Sequence, residues 1–333
     1  MTSQYDNLTP GALLALAQRA MTRYPAALQG KLSLLCRSEN ATFLLQAGGK
    51  RYALRLHRGN YHQRADILSE LHWLDALRET GIVVPRAIAD KEGRKVQDLL
   101  LEDGSLRHAV LFDWIEGEMP GTDVDPRAFQ QLGSITAKLH QHSRSWQKPA
   151  GFQRIIWDHQ TMVGPQSHWG DWRDAPGLKP EDYGLVEQAI ARVGGELALF
   201  GKDPSRYGLI HADLRLTNLL LHKGETRVID FDDCGMGWYL HDLAAAISFV
   251  EHHPRAAEWV DNWLKGYQQV AHISDEELAL VPTLLIQRRI QLLAWAGSHA
   301  QTEMALSLGP RWADDSVRLC RRYLETSELP VGA

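Results

Sequence analysis

Three cysteines, Cys36, Cys234 and Cys320, are too few and too scattered to supply a disulfide framework or a metal-ligand spacing. Cys234 lies close to the most motif-rich segment of the chain, where it serves packing or chemistry. No apolar run approaches the ~20 residues needed to span a bilayer. The first apolar stretch, from Gly11, has no basic region before it, as an export signal would; Thr9 and Pro10 read instead as the N-cap and first residue of a helix. We therefore expect a cytoplasmic protein. Positive charge is outnumbered, with 36 Lys and Arg against 41 Asp and Glu. The net charge is −5, which makes neither nucleic acid nor an anionic membrane a natural partner.

What is present is ordinary for a globular chain of 333 residues, with 44% hydrophobic and 23% charged residues. That length suits two lobes better than one core. Residues 1–110 carry 15 Lys and Arg against 11 Asp and Glu, leaving the excess acid in the remainder. A basic first part suits a polyphosphate and an acidic second part suits cations, although such an imbalance is also what solvated surfaces show.

Short β-like segments follow the first helix: 31–37, 41–47 and 51–58, separated by the turns Ser38-Glu39-Asn40 and Gly48-Gly49. Ile67, Leu68, Leu71, Leu74 and Leu77 share one face of a helix over 62–80, with Gly81 at its C-terminal end. Segments 83–89, 96–102 and 106–115 read as further strands. After Glu116 the pattern becomes helical, with stretches at 126–145, 183–200, 239–252, 255–271, 276–306 and 311–326. The expected organisation is an α+β fold with an N-terminal lobe, 1–114, built on a small antiparallel sheet and one long helix. A larger, mostly helical lobe would follow over 115–333.

The chemistry is concentrated between Leu209 and Ala244. An apolar approach leads into His211-Ala-Asp213, four residues later comes Asn218, then a hairpin about Lys223-Gly224, then Ile229-Asp230-Phe-Asp-Asp. The hairpin returns the chain, so Asp213, Asn218 and Asp230 are expected to converge. Phosphoryl transfer needs such a group: a carboxylate for the proton of the attacking hydroxyl, and hard oxygen ligands for Mg²⁺ against the phosphates. Asp213 fits the first role; Asn218 and Asp230 fit the second. His211 is placed to brace the loop, and Arg215 to face the transferred group. A lone His-x-Asp also occurs in metal sites and polar turns; the combination with Asn218 and Ile-Asp-Phe carries the reading.

These motifs, with Tyr239-Leu-His-Asp242-Leu-Ala, resemble the aminoglycoside phosphotransferase/choline kinase superfamily, and within it the branch of type II homoserine kinases and bacterial stress-response kinases. The resemblance covers roughly residues 30–270. It implies a protein-kinase-like two-lobed fold with ATP and Mg²⁺, Asp213 as catalytic base, Asn218 and Asp230 as metal ligands, and Asp242 as a buried support of the catalytic loop.

In the first lobe it implies that Arg55 and Glu70 form the strand–helix pair that clamps phosphate, with arginine where lysine is common. Strand alternation equally allows Arg55 to point outward. No G-x-G-x-x-G precedes that strand; Ser38-Glu39-Asn40 would cover the phosphates, or serve only as a hairpin. Backbone groups from Asp113 to Ile115 are candidates for adenine. Asp232 and Asp233 stay open between metal or substrate contact and a solvated pair. The three tryptophans of the segment Trp157–Trp172 stay open between an amine site and packing.

The function expected is therefore transfer of the ATP γ-phosphate to the hydroxyl of a small, amine-bearing metabolite. A serine/threonine protein kinase and a catalytically silent nucleotide-binding module are the alternatives.

Overall fold

A computed structural model describes residues 8–120, 126–309, 311–326 and 328–332. The chain forms two compact units. The first runs to Gly117 and also takes in Lys148–Arg154 and Arg227–Asp232; the second holds the rest.

The first unit opens with helix α1 (Pro10–Met21), where the Thr9 hydroxyl accepts the Ala12 N–H as N-cap. Strands β1 (Lys31–Arg37), β2 (Ala41–Ala47) and β3 (Lys50–Leu56) follow, then helix α2 (Arg64–Glu79) and strands β4 (Ala87–Ile88), β5 (Gln97–Leu100) and β6 (Leu106–Asp113). The antiparallel sheet has the order β1-β2-β3-β6-β4, with β5 also on β6. In β2 the period-2 pattern buries Ala41, Phe43, Leu45 and Ala47, which pack with Leu13, Leu16, Leu54 and Leu111 into the core of this unit. The strand expected over 83–89 is formed only at Ala87 and Ile88: Pro85 has no N–H to give to a ladder, and the Val83 carbonyl accepts the Val228 N–H.

The second unit contains α3 (Pro126–Ser145), β7 (Ile155–Trp157), α4 (His159–Met162), α5 (Tyr183–Phe200), β8 (Tyr207–Ile210) and β9 (Leu219–His222). After β10 (Glu225–Val228), whose end enters the first unit, come β11 (Gly235–Trp238), α6 (His241–Ala246), α7 (Ala256–Gln268), α8 (Asp275–Ser298), α9 (Glu303–Ser307) and α10 (Trp312–Glu325). Lys223 and Gly224 both have positive φ, 50° and 82°, which is what a two-residue turn between β9 and β10 requires. Helices α3 and α7 cross so closely that a Cβ on Gly133 or Gly266 would overlap the carbonyls of Trp263 and Gln130.

Two of the expected helices are shorter than their periodicity suggests. The stretch 239–252 is helical only over α6, which has Ile247 as its C-cap, and the backbone turns left-handed at Phe249 (φ 74°). The stretch 276–306 is split into α8 and α9. No helix among the described residues is long and apolar enough to cross a membrane.

Candidate active site

In the second unit, β8 delivers the chain into the His211-Ala212-Asp213 loop. Ala212 has φ 67°, a conformation that an L-residue adopts only when its surroundings fix it. What fixes it is Asp242, a fully buried carboxylate at the start of α6. One oxygen accepts the Ala212 N–H at 2.7 Å and the other the His211 N–H at 3.1 Å. The second oxygen also accepts His140 Nε2 at 2.9 Å, while His140 Nδ1 faces the Tyr267 hydroxyl at 2.9 Å. Burial alone would raise the Asp242 pKa; the His140 hydrogen bond and the surrounding His140, His211 and His241 together offset it and hold the group below the usual carboxylate range. His211 is buried, and its Nδ1 lies 3.4 Å from the Asp213 N–H.

Asp213 is gripped from three sides. Arg215 Nε lies 3.2 Å from Oδ1, and Asn218 Nδ2 donates to the Asp213 carbonyl at 2.8 Å and to Oδ2 at 3.2 Å. The Asn218 amide is thus turned so that its Oδ1 is left as a hard oxygen donor, the type a divalent cation requires. The third side is Arg288, 75 residues further on in α8, whose Nη2 lies 3.0 Å from Oδ1. Arg288 did not emerge from sequence reasoning. Its signal was the pair Arg288-Arg289 set within the apolar run of α8, where almost every residue is buried. Arg289 pairs elsewhere, with Glu251 at 2.5 Å.

The first unit carries a second cluster. Arg55 points inward and is buried; its Nη2 reaches both oxygens of Glu70 on α2, at 2.7 and 2.6 Å. Its Nη1 lies 3.9 Å from the carboxylates of Asp230 and Asp232. Desolvation works against the charged guanidinium, but Glu70 and then Asp232 more than offset it, so the Arg55 pKa is raised. Asp230 itself is exposed, at φ 62°.

Asp232 is buried and not a solvated residue. Its carboxylate accepts Asn40 Nδ2 at 2.7 Å and lies 3.2 Å from His57 Nδ1. Its main-chain carbonyl lies 2.8 Å from His62 Nε2 and also accepts Arg154 Nη2. The Asn40 Oδ1 takes the Arg58 N–H at 3.0 Å, so both ends of that amide hold the β1–β2 turn in place. Ser38 closes the turn, its N–H on the Asn40 carbonyl at 3.2 Å. At the end of β6 the Asp113 carboxylate pairs with Arg86 at 2.6 Å and its N–H with the Arg86 carbonyl at 2.9 Å; Ile115 follows, half-buried. Trp157, Trp169 and Trp172 of the second unit are buried, with Trp157 Nε1 bonded to the Asp233 carbonyl at 2.8 Å.

The buried histidines make the fold sensitive to acid. Desolvation lowers the pKa of His57 and His140, and takes His62 and His241 to about 3; the Arg288 charge adds to the effect on His241. Unfolded histidine binds its proton near 6.5, so below that pH the unfolded chain holds more protons and stability falls. Each such group contributes about 1.4 kcal/mol per pH unit until its folded-state pKa is reached. We expect the thermal midpoint to drop by several degrees between pH 7 and pH 5.5. A midpoint that is flat or rises over that interval would contradict the neutral, buried state of these rings.

Known proteins resemble this chain in sequence and fold. The chain matches the APH phosphotransferase enzyme family over residues 37–279, and it belongs to that family. The structure of a microcompartment-associated aminopropanol kinase is 40% identical, covers 95% of this chain and 99% of its own, and superposes with a TM-score of 0.87. Amicoumacin kinase of Bacillus subtilis (strain 168) is 24% identical over 272 residues, 78% of each chain. A structure of amicoumacin kinase in complex with AMP-PNP, Ca²⁺ and Ami, 22% identical and covering 94% of each chain, has the same fold at a TM-score of 0.74. The protein has a kinase-like α+β fold and is a phosphotransferase with a hydroxyl group as acceptor.

Proposed function

We propose that the protein transfers the γ-phosphoryl group of ATP, with Mg²⁺, to the hydroxyl of a small amino alcohol. The acceptor class rests on one observation, the 40% identity to an aminopropanol kinase along nearly the whole chain. The nucleotide and a divalent cation are those that a solved relative binds as AMP-PNP and Ca²⁺.

In this reading Asp213 takes the proton of the attacking hydroxyl as its oxygen bonds to the γ-phosphorus and the bond to the departing ADP oxygen breaks, and Arg215 neutralises the transferred group. Asn218 and Asp230 are the protein ligands of the cation, which screens phosphate charge when bound. His211 and Asp242 hold the loop. Arg55, kept in line by Glu70, faces the nucleotide phosphates; the turn at Ser38 and Asn40 covers them, and main-chain groups from Asp113 to Ile115 receive the base. The buried, fully bonded state of Asp242 supports this division, because it spends a costly carboxylate on holding the backbone beside Asp213.

The test is purified protein with ATP and Mg²⁺ against amino alcohols, amino acids, sugars and a whole-cell protein extract. ATP-dependent phosphorylation of an amino alcohol, with the extract proteins unlabelled, is the expected result. Labelled proteins without labelled metabolites would overturn the acceptor class in favour of a protein kinase.

A further inference from the structure

An amino alcohol brings two polar ends to one carboxylate. At neutral pH its ammonium group is the natural partner of Asp213, since opposite charges pair more strongly than a hydroxyl and a carboxylate do. A kinase with an exposed aspartate as base would bind such a molecule backwards, with the amine on the base and the hydroxyl elsewhere. Something must occupy Asp213 with positive charge while leaving it able to accept a proton.

Arg288 meets that description. It is 2% exposed, and each of its nitrogens has a fixed partner. Nη2 is on Asp213 Oδ1 at 3.0 Å, Nη1 on Gln291 Oε1 at 3.0 Å and Nε on Ser248 Oγ at 2.9 Å; the guanidinium also lies over the Trp169 ring, 5.1 Å from its centroid. Burying a guanidinium in a helical core is expensive, and an ion pair of this kind seldom adds stability over apolar packing. Desolvation lowers its pKa, with Asp213 and, next, Asp233 opposing, but an arginine that starts so high stays charged at neutral pH. Arg215 is placed differently: it belongs to the loop itself, is about a fifth exposed, and stacks over Phe249, whose backbone is left-handed. Arg288 is thus the deeply buried cation of the pair and Arg215 the more exposed one. The neighbouring His241, buried and neutral, brings no charge, and Asp242 is committed to His140 and the loop N–H groups.

We propose that Arg288 is a specificity-determining positioning residue: it claims one oxygen of Asp213 so that the acceptor's ammonium cannot, and the hydroxyl is presented to the base instead. This rests on the amino-alcohol reading above. The same geometry gives Gln291 and Ser248 a role, since each holds one nitrogen of the guanidinium.

The test compares the wild type with Arg288→Met and Arg288→Lys, using propylamine, which has the amine and lacks the hydroxyl, as an inhibitor of transfer to amino alcohol and of ATP hydrolysis without acceptor. In Arg288→Met, propylamine should inhibit at least tenfold more tightly while kcat for the amino alcohol falls at least tenfold and the ATP KM stays within about threefold. Arg288→Lys keeps the charge, and should keep the weak propylamine inhibition even where kcat drops from loss of the Gln291 and Ser248 contacts. A merely structural arginine would lower kcat in both variants and leave amine inhibition unchanged, which would overturn the proposal. A wild type that hydrolyses ATP but phosphorylates no amino alcohol would sink the acceptor reading, and the propylamine effect on hydrolysis would still decide the role of Arg288. Should Arg288→Met fail to fold, Gln291→Leu loosens the same guanidinium and is expected to strengthen propylamine inhibition about threefold; unchanged inhibition in that variant would count against the proposal.

Discussion

Asp213→Asn is expected to lower kcat by about 100- to 10,000-fold, the range in which a positioned general base contributes, with the ATP KM little changed. The substitution keeps the size of the side chain and one acceptor oxygen, while the other oxygen becomes an NH₂ group among donors. It removes the charge that faces Arg215 at 3.2 Å and Arg288 at 3.0 Å and the basicity that the hydroxyl proton requires. The Arg288 guanidinium is then buried beside a neutral amide, so a modest loss of stability accompanies the loss of rate. Unfolding and nucleotide titration of the variant separate the two effects. Undiminished turnover in Asp213→Asn would end the assignment of Asp213 as base.

Asp242→Ala should have the largest effect on the fold. Three donors converge on that carboxylate: the N–H groups of His211 and Ala212, and His140 Nε2. Truncation leaves all three buried without an acceptor, at about 1–3 kcal/mol for each. It also releases the left-handed backbone at Ala212, which the contacts now maintain at a cost of order 1 kcal/mol. Losses partly overlap, and about 3–5 kcal/mol in all is expected. Activity should fall further than the folded fraction does, because the loop bearing Asp213 relaxes even in molecules that remain folded. Asp242→Asn, which keeps one acceptor oxygen, should be milder on both counts. Comparing kcat with denaturant unfolding across the two variants checks this; an Asp242→Ala protein of ordinary stability and rate would contradict the role.

The two expectations differ in what made them legible. Asp213 stands in a local motif, His-x-Asp followed at fixed spacing by Asn218, and local spacing survives in a sequence because a short loop can only close in a few ways. The strands β1 to β3 between their turns, the helical face of α2 and the N-cap of α1 were readable for the same reason: residues close in sequence decide them. Helix ends were less so. Helix α6 ends at Ala246, with Ile247 as its C-cap, and the run about Pro85 narrows to the two residues of β4 while the Val83 carbonyl accepts the Val228 N–H. Neither event leaves a periodic trace.

By itself, then, the sequence determined the class of chemistry and the α+β organisation, and it singled out the carboxylates and amide proposed for that chemistry. Only the tertiary structure decided which charges those groups meet. Arg288 reaches Asp213 across 75 residues, Asn40 reaches Asp232 across 192, and His140 reaches Asp242 across 102. Asp232, like Trp157, Trp169 and Trp172, is buried by segments distant in sequence. The physical reason is that burial and electrostatic pairing are properties of where chain segments meet. A residue's own neighbours in sequence fix its backbone preference, whereas the cost of hiding a charge, and the partner that offsets it, are set by segments that folding brings together.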